Sequence, residues 1–400
     1  MFSLFRQRFW LPPRAHGDAE VDRTVSFLEL FYDLVYVVVI ARAAHTLAEH
    51  LNWEGVIEFA AVFALIWIAW LNGTLYYDLH GRPDLRTRAF VFLQMLLLAL
   101  LAVFAADAGG EDGAAFAVVY ALYMAVLGWL WYTVRRQDSE EYNTITFRYL
   151  AGMVLTVVVI GLSAFLEDDT RVMAWLIFVG AWLIASIVVG RTSFGGIEQS
   201  LAPSESMVER FGLFIIIVLG EVVVGAVTGM SDAERTALTI ATGMLGLMIG
   251  FAFWWTYFDF VGRRLPKPQG SMLQWMYSHL PITFGIAAAG AAIVGLIEHA
   301  HDARTPTATA WIICGSVAVG LCAIVATMQS LEAWDRFPSL YRPVAVAIIG
   351  AAGVALVLGW LRPAPWLLAM ALLATLMAVW IYATVQWLRL DDPEAALPGS

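Results

Sequence analysis

The sequence predicts an all-α polytopic membrane protein with about twelve transmembrane helices in two parallel six-helix repeats. Composition, the spacing of apolar stretches and an internal repeat lead to this fold class. Hydrophobic residues make up 60% of the 400 residues and charged residues 14%. The mean hydropathy of +0.74 lies well outside the range of soluble globular proteins. Membrane lipids are therefore expected partners, and a net charge of −10 argues against a nucleic-acid partner.

Twelve apolar stretches each approach the roughly 20 residues that a helix needs to cross a bilayer. They cover approximately residues 26–48, 56–77, 88–107, 114–134, 146–166, 172–191, 207–229, 236–258, 271–297, 307–329, 342–361 and 365–388. The loops between them are short, so no soluble domain is expected.

The basic residues predict the orientation of these helices. With both termini in the cytoplasm, eighteen of the 23 Lys and Arg residues fall on the cytoplasmic side and one, Arg42, lies inside the first span. The other side holds four: Arg171, Arg235, Arg304 and Arg362. By the positive-inside rule, this bias predicts a multi-pass protein of the inner (plasma) membrane with both ends cytoplasmic.

Short polar motifs recur 180 or 181 residues apart. Glu29-Leu-Phe recurs as Glu209-Arg-Phe, Tyr76-Tyr-Asp as Tyr257-Phe-Asp, and Leu93-Gln as Leu273-Gln. An even number of spans per copy gives both copies the same orientation, and such duplication is typical of transporters.

We therefore divide the chain into five parts. These are a cytoplasmic N-terminal segment (1–25), a first repeat (26–192), a cytoplasmic connection (193–206), a second repeat (207–388) and a cytoplasmic tail (389–400).

The loop after the second helix of each copy carries a shared pattern. Asp78-x-x-Gly-Arg82 recurs as Asp259-x-x-Gly-Arg263. It resembles half of the loop motif of the major facilitator superfamily, which implies a cytoplasmic gate made by these residues with Glu209 and Arg210. The alternative is a helix stopped by Gly and followed by a basic cytoplasmic loop.

Charged side chains in the first span are candidates for ion or substrate binding, because each costs at least about 2.5 kcal/mol in hydrocarbon. At 100° per residue, Glu29 and Asp33 share one helical stripe with Tyr36 and Ile40, while Arg42 and His45 lie opposite. Those two are as easily explained by snorkelling to the outer surface.

The two acidic residues of this stripe have structural alternatives. Asp33 either exchanges a proton or binds a cation, or it forms a buried ion pair that holds helices in register. For Glu29, the candidate ion-pair partners are Arg88, Arg148 and Arg210.

Glu221 is the most informative single residue, because it lies deep in the seventh span with no other charge nearby in that helix. Desolvation favours the neutral form of such a carboxyl group, which suits proton coupling. The alternative is a protonated Glu hydrogen-bonded across a helix interface.

Gln94, Gln274 and His279 add polar groups to the third and ninth spans, and Pro281 should kink or loosen the ninth. A single buried His is more often a structural hydrogen-bond partner than a ligand. No metal site, cofactor motif or catalytic motif is present, so we expect no enzyme activity, cofactor or metal.

Three segments together resemble the low temperature requirement protein A family of bacteria. They are Glu29-Leu-Phe-Tyr-Asp-Leu-Val-Tyr-Val with His45 downstream, Glu209 to Glu221, and His279-Leu-Pro281. The resemblance implies an integral membrane protein and marks seven family positions: Glu29, Asp33, His45, Glu209, Arg210, Glu221 and His279. The chain departs from the family pattern at Val222 and Arg42.

Our leading hypothesis is a secondary transporter or exchanger of a small solute or ion, with proton coupling through Glu221 and Asp33. A second is a non-transporting membrane protein that serves cold or envelope-stress adaptation through helix or lipid contacts. A third is an intramembrane enzyme that acts on lipid. The sequence defines neither the solute nor the oligomeric state.

Overall fold

The computed structural model describes residues 10–16, 25–140, 142–193, 204–267 and 271–390. Most of the predicted N-terminal segment (1–25), connection (193–206) and tail (389–400) lies outside the described residues. Within the described ranges there is no β-strand, only an isolated antiparallel bridge between Pro266 and Leu331.

All twelve apolar stretches are helical, which confirms the all-α fold. A 3₁₀ turn, Ala105–Asp107, extends the third helix, and the short eleventh helix was not predicted. The α-helices of the described ranges are α1 (Phe27–Glu49), α2 (Trp53–His80), α3 (Leu85–Phe104), α4 (Gly113–Arg135), α5 (Asn143–Ser163), α6 (Asp168–Ser193), α7 (Glu205–Asp232), α8 (Ala237–Phe260), α9 (Met272–Glu298), α10 (Thr307–Gln329), α11 (Glu332–Arg336), α12 (Pro338–Leu361) and α13 (Pro365–Trp387).

Eleven of these helices have the length and hydropathy needed to cross a membrane. The chain is therefore a multi-pass membrane protein. The exception among the twelve long helices is α1, which carries Glu29, Asp33 and Arg42 and is not one of the eleven. The predicted count of twelve spans thus holds for eleven helices and stays a prediction for α1.

Local capping explains where α1 and α3 begin. At the start of α1, the Glu29 backbone N–H donates to Ser26 Oγ (3.3 Å), and Glu29 Oε2 accepts from the Ser26 backbone N–H (3.0 Å). This reciprocal arrangement is a capping box. At the start of α3, the Asp84 carboxylate accepts from the Thr87 backbone N–H at 3.0 Å. Both caps satisfy N–H groups that lack partners within the helix.

The chain forms two compact units. Unit 1 comprises Met1–Ala43 and Ala60–Arg210, and unit 2 comprises Ala44–Phe59 and Phe211–Ser400. In unit 1, α4 packs against α3 and α5, and α5 packs against α6. In unit 2, α9 packs against α8, α10 and α13, and α12 packs against α10 and α13. Helices α1 and α7 therefore begin in unit 1 and end in unit 2.

Within unit 2, α7 and α9 cross with their backbones in close contact. A Cβ atom added to Gly225 would clash with the carbonyl oxygen of Gly290. A Cβ atom added to Gly290 would lie 2.9 Å from the carbonyl oxygen of Glu221. The crossing therefore requires residues without side chains, as is common where membrane helices pack closely.

We predict that Gly290→Ala lowers the stability of the purified protein by about 1–3 kcal/mol, because the added methyl overpacks this crossing. Gly315→Ala on α10 is the matched control, since its Cβ atom would meet nothing within 4 Å. Thermal unfolding in detergent measures both variants. Equal melting temperatures for the two variants would contradict the close crossing.

Candidate functional site

The core of unit 1 contains an ion pair between Asp33 of α1 and Arg210 of α7. Arg210 donates from Nη2 to Asp33 Oδ1 at 2.6 Å and from Nε to Oδ2 at 3.3 Å. Trp70 of α2 adds a hydrogen bond from its indole N–H to Asp33 Oδ1 at 3.0 Å. Both charged residues are at most 1% exposed. Asp33 thus lies in the buried ion pair that was one of its two sequence interpretations.

Glu29 is the second carboxylate beside Arg210. Its Oε1 lies 3.8 Å from Arg210 Nη1, and its Oε2 accepts hydrogen bonds from the backbone N–H and hydroxyl of Ser26. The structure thus brings Glu29 to Arg210, one of its three candidate partners. Because Glu29 also caps α1, part of its charge faces the positive end of a helix dipole.

The two predicted faces of α1 are confirmed by burial. The stripe of Glu29, Asp33, Tyr36 and Ile40 is at most 5% exposed. On the other face, Arg42 and His45 are exposed, and His45 Nε2 lies 3.2 Å from Glu49 Oε1.

Three buried tyrosines form a hydroxyl cluster next to the ion pair. The hydroxyl of Tyr123 on α4 is hydrogen-bonded to those of Tyr32 and Tyr36, at 2.7 Å for Tyr36. Gly73 of α2 leaves room for this cluster, because a Cβ atom there would lie 2.5 Å from the Tyr32 hydroxyl. The four-residue spacing of Tyr32 and Tyr36 was visible in the sequence, but nothing in it marked Tyr123.

Each unit contains a buried Tyr that bonds a polar side chain on the next helix. In unit 1, the Tyr77 hydroxyl donates to Gln94 Oε1 at 2.5 Å, and Gln94 is fully buried. In unit 2, the Tyr257 hydroxyl lies 2.9 Å from His279 Nε2. Gln274, the sequence counterpart of Gln94, is instead exposed and donates to the carbonyl of Ala326 at 2.7 Å.

Hydrogen bonds define the tautomer of His279. Its Nδ1 lies 2.7 Å from the carbonyl oxygen of Trp275, which can only accept, so Nδ1 carries the proton. Nε2 then accepts from the Tyr257 hydroxyl. The helix continues through Pro281, and the Thr283 hydroxyl donates to the His279 carbonyl at 2.8 Å. Both ring nitrogens of His279 are therefore engaged.

Glu221 of α7 lies at the crossing of α7 and α9 in unit 2. It is 6% exposed, and its carboxyl group makes no hydrogen bond or ion pair with the residues that the structure describes. Its own backbone faces Gly290. Glu221 therefore combines burial with an unsatisfied carboxyl group, unlike Asp33.

The predicted gate residues of the first copy contact the start of α7. The Asp78 carboxylate accepts from the Ser204 hydroxyl at 2.8 Å and from the Ser206 hydroxyl at 2.5 Å. Ser204 also caps α7, because its hydroxyl accepts from the Met207 backbone N–H. Arg82 donates from its backbone N–H to the Thr87 hydroxyl at 3.3 Å. The two serines were not identified from the sequence.

The gate residues of the second copy differ from those of the first. Arg263 is exposed and has a left-handed backbone with φ of 60°. Its neighbour Arg264 donates to the backbone carbonyl of Asp259 at 3.0 Å. Glu209 is also exposed, whereas its counterpart Glu29 is buried. The gate assignment stays a prediction.

The N-terminal residues 10–16 dock onto unit 1. His16 bonds Asp138, which follows α4, through its backbone N–H (3.1 Å) and Nδ1 (3.0 Å), and Thr146 adds a hydroxyl hydrogen bond at 2.5 Å. Arg14 and His80 exchange two hydrogen bonds. Burial alone would raise the pKa of Asp138, but the hydrogen bonds from His16 and Thr146 outweigh it and lower the pKa. The sequence pattern did not reveal this docking.

No group of three or more His, Cys, Asp or Glu side chains within the described residues is arranged to hold a metal ion.

The fold and these buried charges define a multi-pass α-helical membrane protein. The family model of the bacterial low temperature requirement A protein (LtrA) matches residues 24–385. The chain therefore belongs to the LtrA family.

One curated relative is Uncharacterized protein RA0937 of Rhizobium meliloti (strain 1021). It is 26% identical over 279 residues, which span 65% of this chain and 66% of that protein. The chain thus spans just under two thirds of that relative's length. No solved structure matches the chain.

We predict that Arg210→Met destabilises the protein by about 3–5 kcal/mol, because Asp33 is left as an uncompensated buried charge. Adding Asp33→Leu should recover part of this loss, since the double variant buries one charge fewer. Thermal unfolding of the single and double variants in detergent forms a double-mutant cycle. Additive losses would show that the two side chains do not interact.

We also predict that acid releases residues 10–16. Because the folded-state pKa of Asp138 lies below its ordinary value of 3.8, its stabilising contribution is complete above about 3.8. The contribution is lost as the pH falls through the lower, folded-state pKa. Hydrogen exchange at the His16 amide, corrected for the intrinsic rate, measures the release.

Asp138→Asn should reduce the protection of the His16 amide already at neutral pH, whereas Glu140→Gln, an exposed neighbour, should leave it intact. Unchanged protection in Asp138→Asn would rule out this anchor.

Proposed function

We propose that the protein is a proton-coupled secondary transporter or exchanger of a small solute or ion. The observation that carries this proposal is Glu221, a buried carboxyl group without a hydrogen-bond or ion-pair partner among the described residues. Ionisable residues with these properties inside membrane helices typically mark proton relays and ion pathways.

The physical environment of Glu221 suits a group that gains and loses a proton during a transport cycle. Glu221 is 6% exposed and has no counter-ion among the described residues, so the ionised carboxylate would be uncompensated and the neutral form is favoured. When the site opens to water, hydration favours ionisation and the proton leaves. Alternating exposure of Glu221 would thus carry one proton per cycle.

Asp33 is the second carboxylate of this proposal, and its role differs from that of Glu221. Arg210 neutralises it through two hydrogen bonds, so a proton can reach Asp33 only in competition with the guanidinium. Protonation of Asp33 would therefore weaken the hold of α1 on the start of α7. This links a protonation event to the contacts between two helices.

In the proposed topology, α1 also crosses the membrane and brings the number of spans to twelve. The twelve spans form two six-helix repeats, and both termini lie in the cytoplasm. Support comes from the length of α1 (23 residues), the asymmetric arginine distribution and the recurring motifs. A major-facilitator-like arrangement belongs to this proposal.

A second candidate is a non-transporting membrane protein that stabilises the envelope in the cold through helix or lipid contacts. The close crossing at Gly225 and Gly290 supports it, because Glu221 could serve there as a neutral packing group. An intramembrane enzyme is less well supported, because both ring nitrogens of His279 are already engaged.

Proton flux into proteoliposomes under an imposed pH gradient and potential tests the transport proposal. We expect measurable flux in the wild-type protein and its loss, by about tenfold or more, in Glu221→Gln and Asp33→Asn, because neither amide can carry a proton. Glu205→Gln is the matched control, since Glu205 is an exposed carboxylate at the start of the same helix.

Full flux in Glu221→Gln at equal reconstitution would disprove the coupling role. If neither the wild-type protein nor any variant conducts protons and Glu221→Gln lowers only the melting temperature, the stabilising role is favoured.

A further inference from the structure

Several buried N–H donors of unit 1 lack acceptors among the described residues, and two of them, on Arg210 and Gln94, lie in the polar core around Asp33. Within the described part of the chain, neither Arg210 Nη1 nor Gln94 Nε2 has a hydrogen-bond partner. Glu29 Oε1 lies 3.8 Å from Arg210 Nη1, which is an ion-pair distance but too long for a hydrogen bond. Arg210 is 1% exposed and Gln94 is 0% exposed. Buried donors of this kind carry a free-energy penalty unless a bound group satisfies them.

The two donors belong to one polar neighbourhood. Gln94 accepts from the Tyr77 hydroxyl, and the Tyr77 ring lies 5.9 Å from the Tyr32 ring, edge to face. Tyr32 directly precedes Asp33, the partner of Arg210. A ligand at this neighbourhood would meet a guanidinium, an amide N–H and phenolic hydroxyls, which together recognise acceptor oxygens.

The charge balance limits when an anion could enter. The titratable groups beside Asp33 are Arg210 of α7 and Glu29 and Tyr32 on its own helix. Tyr36, Tyr77 of α2 and Tyr123 of α4 lie one step further away, because they contact Tyr32. Trp70 of α2 is its neutral donor. Among the described residues, the carboxylates of Asp33 and Glu29 both lie beside Arg210, so a third negative charge there is unfavourable while Asp33 is ionised. A proton on Asp33 removes one negative charge and frees the Arg210 hydrogen bonds.

We propose that unit 1 binds the carboxylate group of a small organic acid together with one proton. The proton goes to Asp33, and the incoming carboxylate replaces Asp33 as the acceptor for Arg210, with the Gln94 amide as a further donor. The solute brings one negative charge and the proton one positive charge, so binding leaves the net charge unchanged. This names the substrate class of the proposed proton-coupled transporter and rests on that function.

A planar carboxylate fits this site better than a spherical anion, because Arg210 already binds the carboxylate of Asp33. Its Nε and Nη2 both bond the carboxylate of Asp33, a side-on arrangement that matches the spacing of the two oxygens. The group that replaces Asp33 with least rearrangement is therefore another carboxylate.

Equilibrium binding of formate to the full-length protein in detergent tests the proposal. Formate is the smallest carboxylate, so it fits any site that accepts a larger one. We expect saturable binding, measured by calorimetry against sodium chloride at equal ionic strength, that tightens as the pH falls. Absence of saturable formate binding would overturn the proposal.

Variants assign the binding to this site. Arg210→Lys removes the bidentate guanidinium donor. We therefore expect about tenfold weaker formate binding, comparable to the loss of one charge-assisted hydrogen bond. Asp33→Asn imitates the protonated acid, so formate should bind without pH dependence. Gln94→Leu should weaken binding several-fold, whereas Gln329→Leu, at the exposed end of α10, should not. Binding that is equal in wild type and Arg210→Lys would show a formate site elsewhere and overturn the assignment.

This measurement separates the two proposals, because equilibrium binding in detergent requires neither a membrane gradient nor a transport cycle. Formate binding without proton flux would retain the carboxylate site and reject the transporter. Proton flux without Arg210-dependent formate binding would retain the transporter and reject the carboxylate as its substrate.

Discussion

The burial of charge in an apolar environment is the constraint on which unit 1 depends. Asp33 and Arg210 could not remain ionised in the core without each other, since an isolated charge there is strongly unfavourable. Their neighbours complete the arrangement: the Trp70 indole satisfies one carboxylate oxygen, and the Ser26 cap balances Glu29. The position of α1 against the start of α7 therefore follows from electrostatics as much as from packing.

The buried polar groups of unit 2 have different partners from those of unit 1. His279 is satisfied by neutral hydrogen bonds to Trp275 and Tyr257, and Glu221 lies where two glycines bring helix backbones together. Among the described residues, unit 1 thus holds opposite charges in a buried pair, while Glu221 of unit 2 is a buried carboxyl group without a counter-ion. This difference is the physical basis for assigning the two carboxylates different roles.

The sequence predicted the helices and the two faces of α1 well, because hydropathy and helical periodicity are local properties. It could only name Arg210 as one of three partners for Glu29, and it did not connect Arg210 with Asp33, 177 residues away. Trp70, Tyr123 and Ser204 were missed for the same reason. Repeat matching did not predict burial: Gln274 is exposed although Gln94 is fully buried. Residues that correspond in the two copies need not have the same structural environment.

The assignment of Arg210 to unit 1 has a consequence for biogenesis. With α1 as the proposed additional span, Asp33 enters the membrane with the first helix, whereas its counter-ion arrives only when the seventh helix has been synthesised. Six helices must therefore insert while the acid is held neutral, hydrated or bound by a chaperone. Conversely, Ala44–Phe59 of unit 2 is made long before the rest of that unit. The ion pair of unit 1 can therefore form only after the start of α7 has been synthesised.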